Sequence, residues 1–322
     1  MIHPQRPKIS IIIALFNAEK EINLCLSSIF ESNFKDFEVI VIDDYSTDNS
    51  VEIAKKYPVR FFSTEKNSGP AKARNIGAKE AKTDLLFFLD SDTKVEKNSL
   101  TLLHESVLNN PEVIGVIGLP NTTSLRKGMA PDYNALKNHY TLFIAEEKNN
   151  YFTTQMGAIK KSIFEQVGGF DENFKSADIE DIEFGLRIPE DKKILINKNL
   201  IISHHFPHFS KIIKNYFKRS FLLAKYVKKN KKLSKAHANL KGMISVLVVL
   251  LTTILLILSW TNKLVFFSFI LAGVGFILIN SGLFLFVMKK RGFLYGLLAI
   301  FFEFCFELSI GLGGLFVYLS KK

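Results

Sequence analysis

Three apolar runs, Met243–Trp260, Leu264–Met288 and Phe293–Leu319, restrict this chain more than any other feature. Each has about the length, roughly 20 residues, that carries a helix across a bilayer core. Backbone polar groups in hydrocarbon find no water to bond, so runs of this kind are expected as helices. They account for the composition too: 48% of the 322 residues are hydrophobic and 30 are Phe, with the excess packed into the C-terminal third. The net charge of +11 is equally local. Neither Asp nor Glu occurs between Lys192 and Phe302, while eleven basic residues from Lys211 to Lys241, Lys231, Lys232 and Lys235 among them, crowd the segment just before the first run. Over Lys211–Val227 those lysines alternate with Ile212, Ile213, Tyr216, Phe217 and Phe221. That is the pattern of a basic amphipathic helix lying in a headgroup layer. A basic tract can also face nucleic acid. Its position against the apolar runs, without a recognition motif, points to anionic membrane lipids and away from nucleic acid.

The expected organisation is a globular domain over residues 1–210, a basic juxtamembrane segment over 211–241 and a membrane domain of about three spans over 242–322. Glu303 and Glu307 fall one helical turn apart in the last run, where uncompensated charge is costly. Either another helix partners them or that segment is re-entrant. The basic tract and Lys289-Lys290-Arg291 both belong on the cytoplasmic side, which places the globular domain there in a multi-pass protein of the cell membrane. Three spans put Lys321-Lys322 outside, against the same rule. The run after Met1–Lys8 is short, strand-like and without a small-residue cleavage site, so no signal peptide is expected. Cys25 and Cys305 offer neither a disulfide framework nor a metal spacing.

The N-terminal two thirds alternates between short β-branched runs and amphipathic stretches. Strands are expected at Lys8–Leu15, Phe37–Ile42, Val59–Ser63, Leu85–Leu89, Val113–Leu119 and Phe152–Ile159. Helices are expected at 19–31, from a Thr47 or Asp48 cap to Tyr57, and at 71–81, 99–109, 162–167 and 178–188. Strands joined by helices specify right-handed crossovers and a doubly wound, mostly parallel α/β sheet with helices on both faces. Residues 120–150 read as an irregular loop or short helices over the site.

Asp84–Thr93 carries the chemistry. Its Leu85–Leu89 core reads as a strand buried on both faces, and it ends in Asp90-Ser91-Asp92. Ligands of open α/β sheets bind at the carboxyl ends of the strands. Two acids there, with no basic neighbour before Lys94, suit a divalent cation shared with a diphosphate, Mg²⁺ or Mn²⁺ by their oxygen donors. Taken alone, the motif fits an acidic helix-capping turn just as well. Asp43 and Asp44 end a second strand, where one of them can accept from a base or a ribose while the later residues cap a helix. Gly69 lets backbone approach a ligand, and Lys72 and Arg74 can meet phosphate or form a solvated helix face.

In combination, these residues resemble the family 2 inverting glycosyltransferases of the GT-A fold. The matching stretches are Ser10–Asn17, Val39–Asp48, Asn67-Ser68-Gly69 with Ala73–Gly77, Phe88–Thr93, Gly168-Gly169-Phe170-Asp171-Glu172 and Glu180–Arg187. They occur in order across roughly residues 8–210. The resemblance implies a nucleotide-sugar donor, with Phe16 and Asn17 near the base, Asp44 on a uracil-type base, Asp90 and Ser91 near the ribose or metal, and Asp92 on the metal. It implies a further metal contact from His204 or His205 before His208. By the same analogy Asp181 is the base that takes the acceptor's proton, and Glu180 its neighbour at the acceptor. The competing reading has Asp178, Glu180 and Asp181 only favouring the positive end of a helix. The Gln-x-x-Arg-Trp signature of processive synthases is missing, and Asp-Ser-Asp-Thr differs from the Asp-Ala-Asp-Leu-Gln of polyprenyl-phosphate sugar synthases. The expectation is therefore a membrane-anchored enzyme moving one sugar, UDP-linked, to a lipid-linked or surface-glycan acceptor. A polyprenyl-phosphate glycosyltransferase and a non-enzymatic nucleotide-sugar-binding module are the alternatives.

Overall fold

The structure, a computed structural model, describes residues 8–230, 240–260 and 262–319. Met1 to Pro7, Lys231, Lys232, Lys235 and Lys321-Lys322 lie outside these residues. The chain divides into two compact units, one formed by residues 1–126 and 141–206, the other by 127–140 and 207–322.

The first unit begins with β1 (Ile9–Leu15), α1 (Ile22–Phe30), β2 (Phe37–Asp43), α2 (Ser50–Ala54), β3 (Arg60–Ser63), α3 (Pro70–Glu80) and β4 (Leu85–Asp90). These strands are parallel, in the order β3-β2-β1-β4. Side chains of a strand alternate between faces. Ile11, Ile13, Val39, Val41, Phe87 and Leu89 enter one buried cluster, and Ile12, Ile40, Ile42, Leu86 and Phe88 enter another. The sheet is thus dry on both faces, which explains why these strands read as unbroken apolar runs.

Beyond β4 the chain adds β5 (Thr93–Val95), α4 (Ser99–Asn109), β6 (Gly115–Pro120), α5 (Met129–Phe143), β7 (Lys148–Asn149), β8 (Met156–Lys160), α6 (Lys161–Val167), α7 (Glu180–Arg187) and β9 (Ile194–His204). Here the sheet is mixed. β8 lies antiparallel between β4 and β6, β9 runs parallel to β6, and β5 and β7 pair antiparallel with β9. Parallel pairing thus runs through β3-β2-β1-β4 and returns at β6 and β9, with β8, β5 and β7 antiparallel. A strand buried on both faces carries no mark of its direction, which its connections set. β9 has no counterpart in the sequence expectations, because Asn197-Lys198-Asn199 splits its apolar pattern; a shift of register between Ile117 and Leu119 accommodates that polar patch.

The second unit holds α5 up to Tyr140, then α8 (Phe209–Asn230), α9 (Leu240–Leu258), α10 (Lys263–Ile279), α11 (Ser281–Arg291) and α12 (Phe293–Leu319). Where a loop or short helices are expected, α5 is one helix of 15 residues. Its Ala130, Tyr133 and Leu136 follow helical spacing and join Ile212, Phe276, Phe302 and Phe306 in the core of this unit. Among the described residues, two helices, α9 and α12, are long and apolar enough to cross a membrane. The pair α10 and α11 qualifies as one further span, bent by 65° at Asn280. The interruption thus falls in the second apolar run, while the run that carries Glu303 and Glu307 is one unbroken helix. Tyr133 Oη (2.7 Å) and Lys137 Nζ (2.8 Å) donate to Glu303, and Ser245 Oγ donates to Glu307 at 2.5 Å.

Candidate active site

Strand register assembles the site. In the parallel ladder Leu15 stands opposite Asp43 and Ala14 opposite Asp90, so the ends of β2, β1 and β4 release their next residues along one edge. Phe16, 48% exposed, and Tyr45, 55% exposed, offer aromatic surface there. Asn17 adopts a left-handed φ of 47°, which Asn tolerates. Its side-chain oxygen accepts the Thr47 N–H at 2.8 Å and ties the loop after β1 to the loop after β2.

The turn after β4 is closed by the Thr93 hydroxyl, which donates to the Asp90 carbonyl at 2.7 Å. β5 comes at once and pairs with the end of β9, setting Thr93 opposite His204. That ladder places His204 Nε2 3.2 Å from Asp92 Oδ1 and 3.9 Å from Asp90 Oδ2. Ligand atoms of Asp90, Asp92 and His204 all lie within 4.8 Å of one another. Two carboxylate oxygens and one imidazole nitrogen fit a hard or borderline divalent ion such as Mn²⁺ or Mg²⁺. His205, the other histidine expected at a metal, is directed elsewhere: its Nδ1 lies 3.5 Å from Glu21 and 3.4 Å from Arg126. His204 ends β9 and His205 follows it, and the two rings have different neighbours.

Burial opposes the His204 imidazolium, but Asp92 and Asp90 outweigh it and raise its pKa from 6.5 to about 10. Burial likewise opposes the Asp90 carboxylate, and His204 with Arg74 reverses this and holds Asp90 well below the ordinary range. Without metal, His204 is therefore protonated at neutral pH and bridges the two acids. The raised pKa stabilises the fold fully below pH 6.5, and this contribution is lost as pH rises through about 10. A cation taking Nε2 must displace that proton. Mn²⁺ affinity is accordingly expected to rise with pH, with close to one proton released per ion between about pH 7 and 9. Calorimetry in two buffers of different ionisation heat measures the release, and a value near zero contradicts the ligand set.

The remaining expected residues divide. Asp43 accepts the Ser46 N–H at 3.1 Å. Asp44 accepts the N–H groups of Ser68 (2.8 Å) and Gly69 (2.7 Å) and the Thr64 hydroxyl (3.0 Å), three of the roughly four positions a carboxylate offers. Asp48 caps α2 through the Ser50 N–H. Gly69 has a φ of +94°, and a Cβ there would come within 2.7 Å of the Lys175 backbone; the loop before α7 is the group that approaches this glycine. Lys72, in the first turn of α3, and Ser91, in the turn after β4, are half-buried.

Arg74 points away from solvent. Its Nη2 donates to Asp90 and its Nη1 to Glu180, each at 2.8 Å, and it is 4% exposed. Glu180, 3% exposed, spends its other oxygen on the Asp178 N–H at 2.8 Å. Both side chains are thus engaged internally, because the buried Glu180 carboxylate and the half-buried Asp90 need a cation between them. Asp181, next in the first turn of α7, is only partly buried. Asn75, inside the matching Ala73–Gly77 stretch but given no role there, exchanges two 2.9 Å hydrogen bonds with the Phe170 backbone and holds the Gly168-Gly169 turn.

A mixed sheet of this order, with an Asp-Asp-His group at the carboxyl edge of its parallel half, is a GT-A-like fold. Residues 10–168 match glycosyl transferase family 2, and the chain carries a domain of that family. The teichoic acid poly(glycerol phosphate) polymerase of Staphylococcus epidermidis is 33% identical over 157 residues, 47% of this chain and 21% of the polymerase. The poly(ribitol-phosphate) beta-N-acetylglucosaminyltransferase TarS of Staphylococcus aureus is 30% identical over 180 residues, 49% of this chain and 31% of TarS. These alignments span less than half the length of either relative. The crystal structure of TarS 1–349 in complex with UDP-GlcNAc has a TM-score of 0.51 at 20% identity, covering 97% of this chain and 92% of that one. Mannosyltransferase PcManGT from Pyrobaculum calidifontis, solved with GDP-Man and Mn²⁺, has a TM-score of 0.59 at 16% identity, covering 98% and 88%. At such identities the two structures speak for the fold alone.

Proposed function

We propose that this protein is a membrane-anchored, inverting glycosyltransferase that moves one sugar from a UDP-linked donor to a lipid-linked or surface-glycan acceptor. The observation that carries the reading is the Asp90-Asp92-His204 group at the sheet edge shared by Phe16 and Asp44, linked through Arg74 and Glu180 to the helix of Asp181. The donor class draws on the UDP-GlcNAc and GDP-Man complexes named above, and the acceptor class on relatives that act on phosphate polymers.

Phe16 supplies a stacking surface for the base, and Asp44 keeps one accepting position for it. Asp181 takes the proton of the acceptor hydroxyl as that oxygen attacks the anomeric carbon, while the bond to the diphosphate breaks on the opposite face. Asp90, Asp92 and His204 would hold Mg²⁺ or Mn²⁺, which neutralises charge on the leaving diphosphate. The apolar helices hold the enzyme in the cell membrane with its catalytic domain on the cytoplasmic face, and the lysines of α8 meet anionic lipid.

The test is product analysis with the full chain in vesicles of anionic lipid, a panel of nucleotide sugars and Mn²⁺. The expected result is UDP release that stops with chelator and a product of inverted anomeric configuration on a lipid-linked saccharide. Retention of configuration, or release indifferent to chelator, overturns the reading. Transfer to polyprenyl phosphate alone replaces the proposed acceptor class.

A further inference from the structure

We propose that Arg74 is a positioning residue, holding Asp90 and Glu180 in one register, and that it does not bind donor phosphate. The inference rests on the proposed function only for the purpose that register serves. A guanidinium presents its donors in a rigid planar fork. Nη2 on Asp90 and Nη1 on Glu180, both at 2.8 Å, therefore fix the metal-type cluster against the first turn of α7, which carries Asp181. The neighbouring Asn75 fixes the chain that leads into α7 through Phe170, so consecutive residues of α3 hold both ends of that segment.

Charge argues against phosphate here. One cation between two carboxylates leaves a net negative group, in a fork already 5% exposed at the side chain. A diphosphate would have to displace a buried carboxylate and then lie beside it. A divalent cation is instead drawn to the same place.

Two measurements decide the matter, one of them without substrate. Glu180→Gln, which keeps the shape and removes the charge, is expected to shift Mn²⁺ affinity by about threefold to tenfold at a cluster it does not touch, and by under about twofold when Arg74 is already Gln. Paramagnetic resonance of bound Mn²⁺ reads this directly. In kinetics, Arg74→Gln is expected to lower kcat about 100-fold with donor KM changed less than about threefold. Arg74→Lys, with charge but no fork, is expected to recover less than about tenfold of that loss. An equal Glu180→Gln effect in both backgrounds overturns the proposal. So does a donor KM raised more than about tenfold with kcat kept, the behaviour of a phosphate ligand. If the wild-type chain transfers no sugar, the proposed function fails on its own, and the Mn²⁺ measurement still decides the role of Arg74.

Discussion

Replacing Asp181 with Asn is expected to lower kcat for sugar transfer by about 10²- to 10⁴-fold, the usual worth of a positioned general base. Three acids lie in the first turn of α7. Glu180 is buried against Arg74, and Glu183 is buried against Arg187 at 2.7 Å. Asp181 is the one of the three that is partly exposed. The substitution keeps the volume and removes the proton acceptor. It also removes a negative charge from a helix N-terminus, worth about 0.3–1 kcal/mol, so melting should fall only slightly. Mn²⁺ and donor affinities should stay within about threefold, since the ligand set lies elsewhere. Near-normal transfer by a folded Asp181→Asn variant would remove Asp181 from the mechanism.

The largest stability effect is expected at Lys137. Its ammonium donates to Glu303 at 2.8 Å and lies over the rings of Tyr216 (5.2 Å) and Phe306 (5.7 Å). Burial opposes that charge, yet Glu303 outweighs burial and raises the lysine pKa above its ordinary value. Lys137→Met leaves Glu303, 3% exposed, without its cation. Loss of one partner of a buried pair costs about 3–5 kcal/mol. The Tyr133 hydroxyl still donates to Glu303, so the lower end is expected. Lys137→Met with Glu303→Leu removes both charges and should recover most of the loss. Helical melting in detergent measures both variants. A single variant that melts like wild type would mean that the pair contributes nothing.

The parallel half of the sheet and most of its helices were legible in the sequence, because a dry strand and an amphipathic helix each imprint their period on the residues. Asp90 and Asp92 were legible for the same reason: Leu85–Leu89 can only be a buried strand, so the residues after Leu89 lie at a sheet edge. Less could be read where long-range pairing decides. Nothing local announces that β5 will pair with β9, and it is that ladder which separates His204 from His205. The sequence leaves Arg74 between a phosphate contact and a solvated helix face, because it does not show two carboxylates converging from residues 90 and 180. Helix α5 was hidden by polar residues whose partner, Glu303, lies 166 positions away.

The central claim is that Asp90 and Asp92 at the end of β4 form, with His204 at the end of β9, one cation site shared with a diphosphate. Titration of the full chain with Mn²⁺, monitored by paramagnetic resonance with and without UDP, tests it most directly. One site is predicted, tightened by UDP and lost in Asp92→Asn. Mn²⁺ binding that ignores UDP, or survives unchanged in Asp92→Asn, would contradict it.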